Sequence, residues 1–245
     1  YLRSLEERKE EVSRLLREMD KLTPQIEQQL QAAVTLQEVE DIYRPFRPKR
    51  RTRATIAREL GLAPLAEIIL AQTQSLAPSD LAAFINPDLG VADTDTALAG
   101  ALDIIAEIIA DDAEIRKKIR DITYRKGMVS SSSADEQATT YSMYFDFCEP
   151  VTKIVPHRIL ALNRGEKEKA LAVKIEAPEE AIIGTIESIY VKPGSPTAEL
   201  VARTAQDAYK RLIAPAIERE IRNLLTDKAE SQALDVFARN LKNLL

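Results

Sequence analysis

Apolar residues recur at helical spacing along almost the whole of this 245-residue chain, and that pattern restricts it to a mainly helical fold. Leu2, Leu5, Val12, Leu15, Leu16 and Met19 share one face of a first helix whose other positions are charged. Thr23 before Pro24 marks a helix start, with Ile26, Leu30 and Val34 as the stripe behind it. Thr35 and Glu38 have the spacing of a capping box, opening a helix to about Tyr43. Arg53 to Leu60 reads as a short helix stopped by Gly61, and a second helix runs from Pro64 to about Gln72. That outline is helix-turn-helix-like. Its second helix, PLAEIILAQ, has no basic residue to present to base edges, so it reads as core. Pro78 to Ile85 is a further short helix, and Thr94 or Asp95 caps a strongly apolar one through Ala97, Leu98, Ala101, Ile104, Ile105, Ile108 and Ile109, expected at the centre.

Asp112 to about Tyr124 is predicted helical, with Ile115, Ile119 and Ile122 inward and Arg116, Lys117, Lys118 and Arg120 on a solvated face. The pattern lapses over GMVSSSSADEQATT, Gly127 to Thr140, which reads as a mobile loop. Tyr141, Tyr144, Phe145 and Phe147 then cluster as a packing anchor. His157 to about Glu168 suits a helix, and Leu171 to Ile175 is the one plausible strand, with Met128 to Ser131 as its candidate partner. Pro178 opens a helix to about Tyr190. Thr197 to Leu225 reads as one long helix bent at Pro215, and Thr226 caps the last helix. The expected fold class is all-α, a multi-helix bundle with long C-terminal helices and at most one very small β element. The absence of Trp and the presence of only seven Gly agree with little sheet. The expected domains are an N-terminal helical domain over 1–125, a mobile loop over 126–140 and a helical connector domain over 141–245.

The chemistry-bearing residues are sparse. Cys148 and His157 are single instances, no metal-ligand spacing occurs, and the glycines are too scattered to cradle a phosphate. No catalytic residue, metal or cofactor is therefore expected, nor a small-molecule substrate, and the chain does not read as an enzyme. One cysteine cannot form an intrachain disulfide, and no apolar run reaches the length of a bilayer span; together these predict a cytoplasmic setting with no membrane partner.

One stretch stands apart. Arg44, Arg47, Lys49, Arg50, Arg51 and Arg53 fall within ten residues free of acidic side chains, in a chain of net charge −5. Pro45 and Pro48 favour an extended arm, and Tyr43 and Phe46 add aromatic surface beside the guanidiniums. Two readings follow from these residue types: a nucleic-acid contact through phosphates and stacked bases, or a basic loop docked in an acidic groove of its own protein or of a partner.

The run LQEVEDIYRPFRPKRRTRATIARELGLAPLAEIIL, Leu36 to Leu70, resembles the Tex family of bacterial RNA-binding transcriptional accessory proteins. YFDFCEPVTKIVPHRILALNRG, Tyr144 to Gly165, is similar to a second signature of that family, and Ser195 to Leu245 to its long helical connector. The resemblance implies the N-terminal helical portion of such a protein. In full-length Tex proteins a ribonuclease-H-like domain, helix-hairpin-helix repeats and a C-terminal RNA-binding barrel follow this portion. It further implies RNA or DNA as partner, bound without sequence specificity and mainly by that barrel, with the transcription machinery as a further partner. The basic arm would add phosphate contacts. A protein-interaction scaffold without nucleic-acid contact is the other reading.

Overall fold

The computed structural model describes residues 2–47, 51–134 and 139–244. In chain order these form helices α1 (Leu2–Glu18), α2 (Pro24–Ala32), α3 (Leu36–Tyr43), α4 (Arg53–Glu59), α5 (Ala63–Ala71), α6 (Pro78–Ala82), α7 (Thr94–Asp111) and α8 (Ala113–Lys126). Strands β1 (Met128–Ser133) and β2 (Asp146–Pro150), helix α9 (Pro156–Lys167) and strand β3 (Leu171–Glu176) follow, then α10 (Glu179–Tyr190), α11 (Ala198–Asp207) and α12 (Ala214–Leu244). The chain divides into two compact units, Tyr1–Lys117 with Ile183–Ile213, and Lys118–Ile182 with Ala214–Leu245. This interleaved division differs from the linear one, broken at 126–140, that the sequence suggested.

In the first unit α1, α2 and α3 close around Leu5, Val12, Leu16, Leu30, Val39 and Tyr43, all buried. The capping box is formed: Thr35 Oγ1 accepts from the Glu38 N–H at 3.2 Å, and Glu38 accepts from the Thr35 N–H. Val34, read as part of the apolar stripe, is instead exposed, because α2 ends at Ala32 and the chain leaves helical geometry before it. Helices α4, α5, α6 and α11 gather on α7, whose Ala97, Ala101, Ile104, Ile105 and Ile109 are buried, so its central place is as expected, although Leu98 is only half-buried and Ile108 is exposed. Asp93 rather than Thr94 or Asp95 caps it, accepting from the Thr96 N–H at 2.7 Å. Gly61, at φ +78°, turns the chain from α4 into α5 through a conformation that costs a side-chain-bearing residue strain. Gln72 ends α5 in the same left-handed region and is buried. Its amide nitrogen donates to the Tyr190 carbonyl at 2.7 Å, and its oxygen accepts from the Lys192 N–H and the Ser195 hydroxyl.

The second unit holds a three-stranded antiparallel sheet in the order β2-β1-β3. The expected pairing of 128–131 with 171–175 is present, but the lapse read as a loop contains a central strand, and β2 was not foreseen. Serines hid β1: a strand paired on both sides satisfies its backbone without an apolar pattern of its own. Along β3, Leu171, Val173 and Ile175 are buried and alternate with exposed residues, as a half-buried strand requires. Helices α9 and α12 pack on each other and on β3. Phe147 meets Tyr144 edge-on at 5.5 Å, and Arg158, ion-paired with Glu149, stacks over the Phe147 ring. The Tyr144 to Gly165 signature is thus a packing device joining β2 to α9.

Two expectations about the C-terminal helices are corrected. Six π-helical residues, Ala208–Ile213, separate α11 from α12, next to Pro215, whose missing N–H removes a regular α-helical bond. Thr226 caps nothing; it lies inside α12, and its hydroxyl accepts from Asn163 Nδ2 at 2.8 Å.

Candidate nucleic-acid interface

Carboxylates on α3 and α7 dictate how the basic segment is seated. Arg44, at the C-cap of α3, donates from Nε to Asp111 Oδ1 at 3.0 Å. Asp111 ends α7, so this basic residue serves an internal ion pair. Glu107, buried on α7, accepts from Arg58 Nη1 at 2.5 Å and from the Thr52 hydroxyl at 3.0 Å. Thr52 also caps α4 through the Thr55 N–H at 3.0 Å. Arg51 pairs with Glu59 at 2.8 Å in an exposed bridge of little energetic weight. Arg47 and Arg53 are exposed, and among the described residues neither forms an ion pair. Lys49 and Arg50, also expected at the interface, lie outside the described residues.

Sequence reasoning placed Arg116 on a solvated face; it is fully buried, with Nε donating to Asp41 Oδ1 at 3.1 Å. Asp41 is itself buried on α3, and a charge on either helix is tolerable only because the other answers it. Nothing local in the sequence links residues 75 positions apart. Lys117 reaches Glu38 at 2.8 Å. Burial opposes ionisation of Glu38, yet the Lys117 bond and the Val34 and Thr35 N–H groups hold its carboxyl below the usual range.

The aromatic members of the segment do not form a stacking platform. Tyr43 is buried, with Arg8 lying 5.7 Å over its ring, and Phe46 packs half-buried on the same core. Arg8 also bonds Glu40 at 2.6 Å and is held more firmly protonated by it. Aromatic residues between arginines fit either role in sequence; here an apolar core within reach takes both rings.

Two clefts border the segment. One, of about 910 Å³, is lined by Ile26, Ile42, Phe46, Ile108, Asp112 and Lys117 among others. The second, of about 610 Å³, is lined by Arg44, Arg47, Thr52, Arg53, Asp103, Glu107 and Arg211 among others. Arg47 borders both. Arg211 comes from the π-helical turn and pairs with Asp103 at 2.7 Å and Asp207 at 2.8 Å; its place beside the basic segment had no sequence signal. Cys148 and His157 are exposed, and among the described residues no cluster of His, Cys, Asp and Glu could hold a metal ion. No described helix is long and apolar enough to cross a membrane.

Residues 73–237 match the family model described as Tex central region-like. Over its whole length the chain is 45% identical to the protein YdcI of Bacillus subtilis (strain 168), covering 35% of that relative. It is 34% identical to the transcriptional accessory protein Tex of Neisseria gonorrhoeae, again over the whole chain and 33% of the relative. The human S1 RNA-binding domain-containing protein 1 is 30% identical over 86% of this chain and 23% of its own length. The chain thus spans about a third of the length of its bacterial relatives.

Proposed function

From the premise that the chain belongs to the Tex family, we propose that it is the helical scaffold region of a cytoplasmic transcription accessory protein that binds RNA through other domains. The relatives' names, transcriptional accessory protein and S1 RNA-binding domain-containing protein, support this reading. The scaffold's own contribution is phosphate contact from the exposed part of its basic segment, without sequence discrimination. The observation that carries this is the division within the segment: Arg44 is used internally, whereas Arg47 and Arg53 are exposed and outside any ion pair among the described residues. The helix-turn-helix-like pair α4 and α5 serves as framework, since Leu65, Ala66 and Ile69 of α5 are buried rather than offered to bases.

A second reading, a docking scaffold for a partner protein, is favoured by the internal pairing of Arg44, Arg58 and Arg116, which leaves less charge for nucleic acid. Salt dependence separates the two. Binding of a labelled single-stranded RNA should weaken as salt rises, with a log–log slope of about −0.7 per phosphate contacted, and unrelated sequences should compete equally. A chain that binds no RNA even at low salt, while capturing a protein partner, would establish the second reading.

A further inference from the structure

The larger cleft, of about 910 Å³, is lined by residues of the first unit alone, from α2, α3, the 45–47 turn, α4, α7, the start of α8 and the end of α10. Part of its lining is apolar. Ile26, Ile42 and Phe46 pack on the helical core and stay half-buried, and Ile108 is 38% exposed. Val34, 69% exposed, is tied to the lining residue Glu38, whose Oε2 accepts from the Val34 N–H at 2.7 Å. Apolar side chains left bare in and around a concavity mark a surface that something enters. Four of the cleft's six carboxylates are answered by cations: Glu38 by Lys117, Asp41 by Arg116, Glu107 by Arg58 and Asp111 by Arg44. The other two, Asp112 and Glu114, sit at the corner between α7 and α8 and form no ion pair among the described residues. Asp112 accepts only from neutral donors, the Ile115 N–H at 3.0 Å and the Tyr190 hydroxyl at 2.7 Å, and Glu114 is exposed. Arg47, the lining cation outside an ion pair among the described residues, belongs to the 45–47 turn and not to this corner.

We infer that this cleft docks an amphipathic, basic helix of a partner protein. Apolar side chains one helical turn apart enter among Ile26, Ile42, Phe46 and Ile108, and a lysine or arginine beside them meets Asp112 and Glu114. The walls are helices and a turn, with no strand edge to pair an extended segment, whereas a helix satisfies its own backbone and offers anchors at i, i+3 or i+4 and i+7. Opposite charge at the rim sets orientation and speeds encounter more than it adds affinity, so the apolar contacts supply most of the binding. The chain's own exposed apolar helix, around Leu234 and Phe237 of α12, is a poorer occupant: Glu230 and Asp235 accompany Arg239 there and leave it without net positive charge. The inference rests on the docking reading above, to which it gives a place and a chemistry, and it does not use the phosphate contacts of Arg47 and Arg53.

The test pans a phage-displayed library of random dodecapeptides on the wild-type chain, with the Ile108→Asn variant for counter-selection. Selected sequences are expected to carry apolar residues three or four positions apart and a net positive charge. A labelled synthetic copy should bind Ile108→Asn about tenfold and Glu114→Lys about fivefold more weakly than wild type, read by fluorescence anisotropy. A copy with glutamate in place of its basic residues should reverse the second preference and bind Glu114→Lys more tightly than wild type. Both positions are exposed, and unchanged melting temperatures identify the losses as ones of contact; Val34→Ser, outside any helix, is a second apolar deletion expected to weaken binding. Acidic selected sequences, or peptides that bind every variant as tightly as wild type, overturn the cleft and leave docking elsewhere on the scaffold standing. Self-association in sedimentation that Ile108→Asn abolishes gives the cleft to a second copy and overturns the partner helix. A library that yields no binder sinks the cleft and the docking reading together, while RNA binding, measured separately, decides the phosphate contacts.

Discussion

Replacing Asp41 by Asn tests whether the buried pair, rather than apolar packing alone, governs the first unit. The substitution conserves shape and removes one charge opposite Arg116, whose side chain has no exposure, while that of Asp41 has 4%. Breaking such a pair from one side costs about 3–5 kcal/mol, because the surviving ion stays desolvated without its counter-charge. Asn retains an acceptor oxygen and both groups have further interactions, so the lower end is expected. For a unit of this size, about 3 kcal/mol corresponds to a fall in Tm of about 6–12 °C. Urea unfolding followed by circular dichroism measures the loss directly, with Arg51→Ala as a surface-pair control expected within about 1 kcal/mol. The double exchange Asp41→Leu/Arg116→Met should recover much of the loss, since an apolar replacement of both partners leaves no orphaned charge. An Asp41→Asn variant as stable as the Arg51→Ala control refutes the reasoning.

Three further outcomes are expected. Gln72→Ala removes an amide that ties the end of α5 to the 190–195 turn and should cost about 1–3 kcal/mol, read by denaturant titration together with faster amide exchange at Lys192. Gly165→Ala would set a Cβ 2.6 Å from Leu171 Cδ1 and 3.0 Å from Tyr141 Cδ1; overpacking of about 1–3 kcal/mol should appear as a lowered Tm. Arg222, followed by burial as the opposing effect, holds the Glu166 carboxyl below its usual value, so the folded state binds this proton less readily than the unfolded chain does. The contribution is therefore complete above about pH 4.3 and fades as pH falls through the lower folded value; Arg222→Ala should flatten the acid limb of the stability–pH curve.

What the sequence disclosed was what local spacing carries. The capping box at Thr35, the glycine turn at Gly61 and the apolar stripe of α7 sit within a few residues of their causes, and each is found in the structure. Long-range partners escaped it. Arg116 reads as a solvated cation until Asp41 is seen beside it, and β1 reads as a serine loop until strands on both sides supply its hydrogen bonds. The basic segment left two readings open for the same reason: whether Arg44 meets solvent or Asp111 depends on a residue 67 positions away. The family signatures point to a lineage, and the structure shows the work of one of them, the seating of β2 against α9 through Arg158.

The central claim is that the basic segment is split between internal ion pairs and exposed phosphate ligands. Arginine side-chain Nε–Hε resonances, followed by NMR as a single-stranded RNA is added at low salt, test it most directly. The account predicts that the signals of Arg47 and Arg53 shift and saturate together, while those of Arg44, Arg58 and Arg116 stay in place. Shifts confined to Arg44, Arg58 and Arg116, or an unmoved set at saturating RNA, would contradict it.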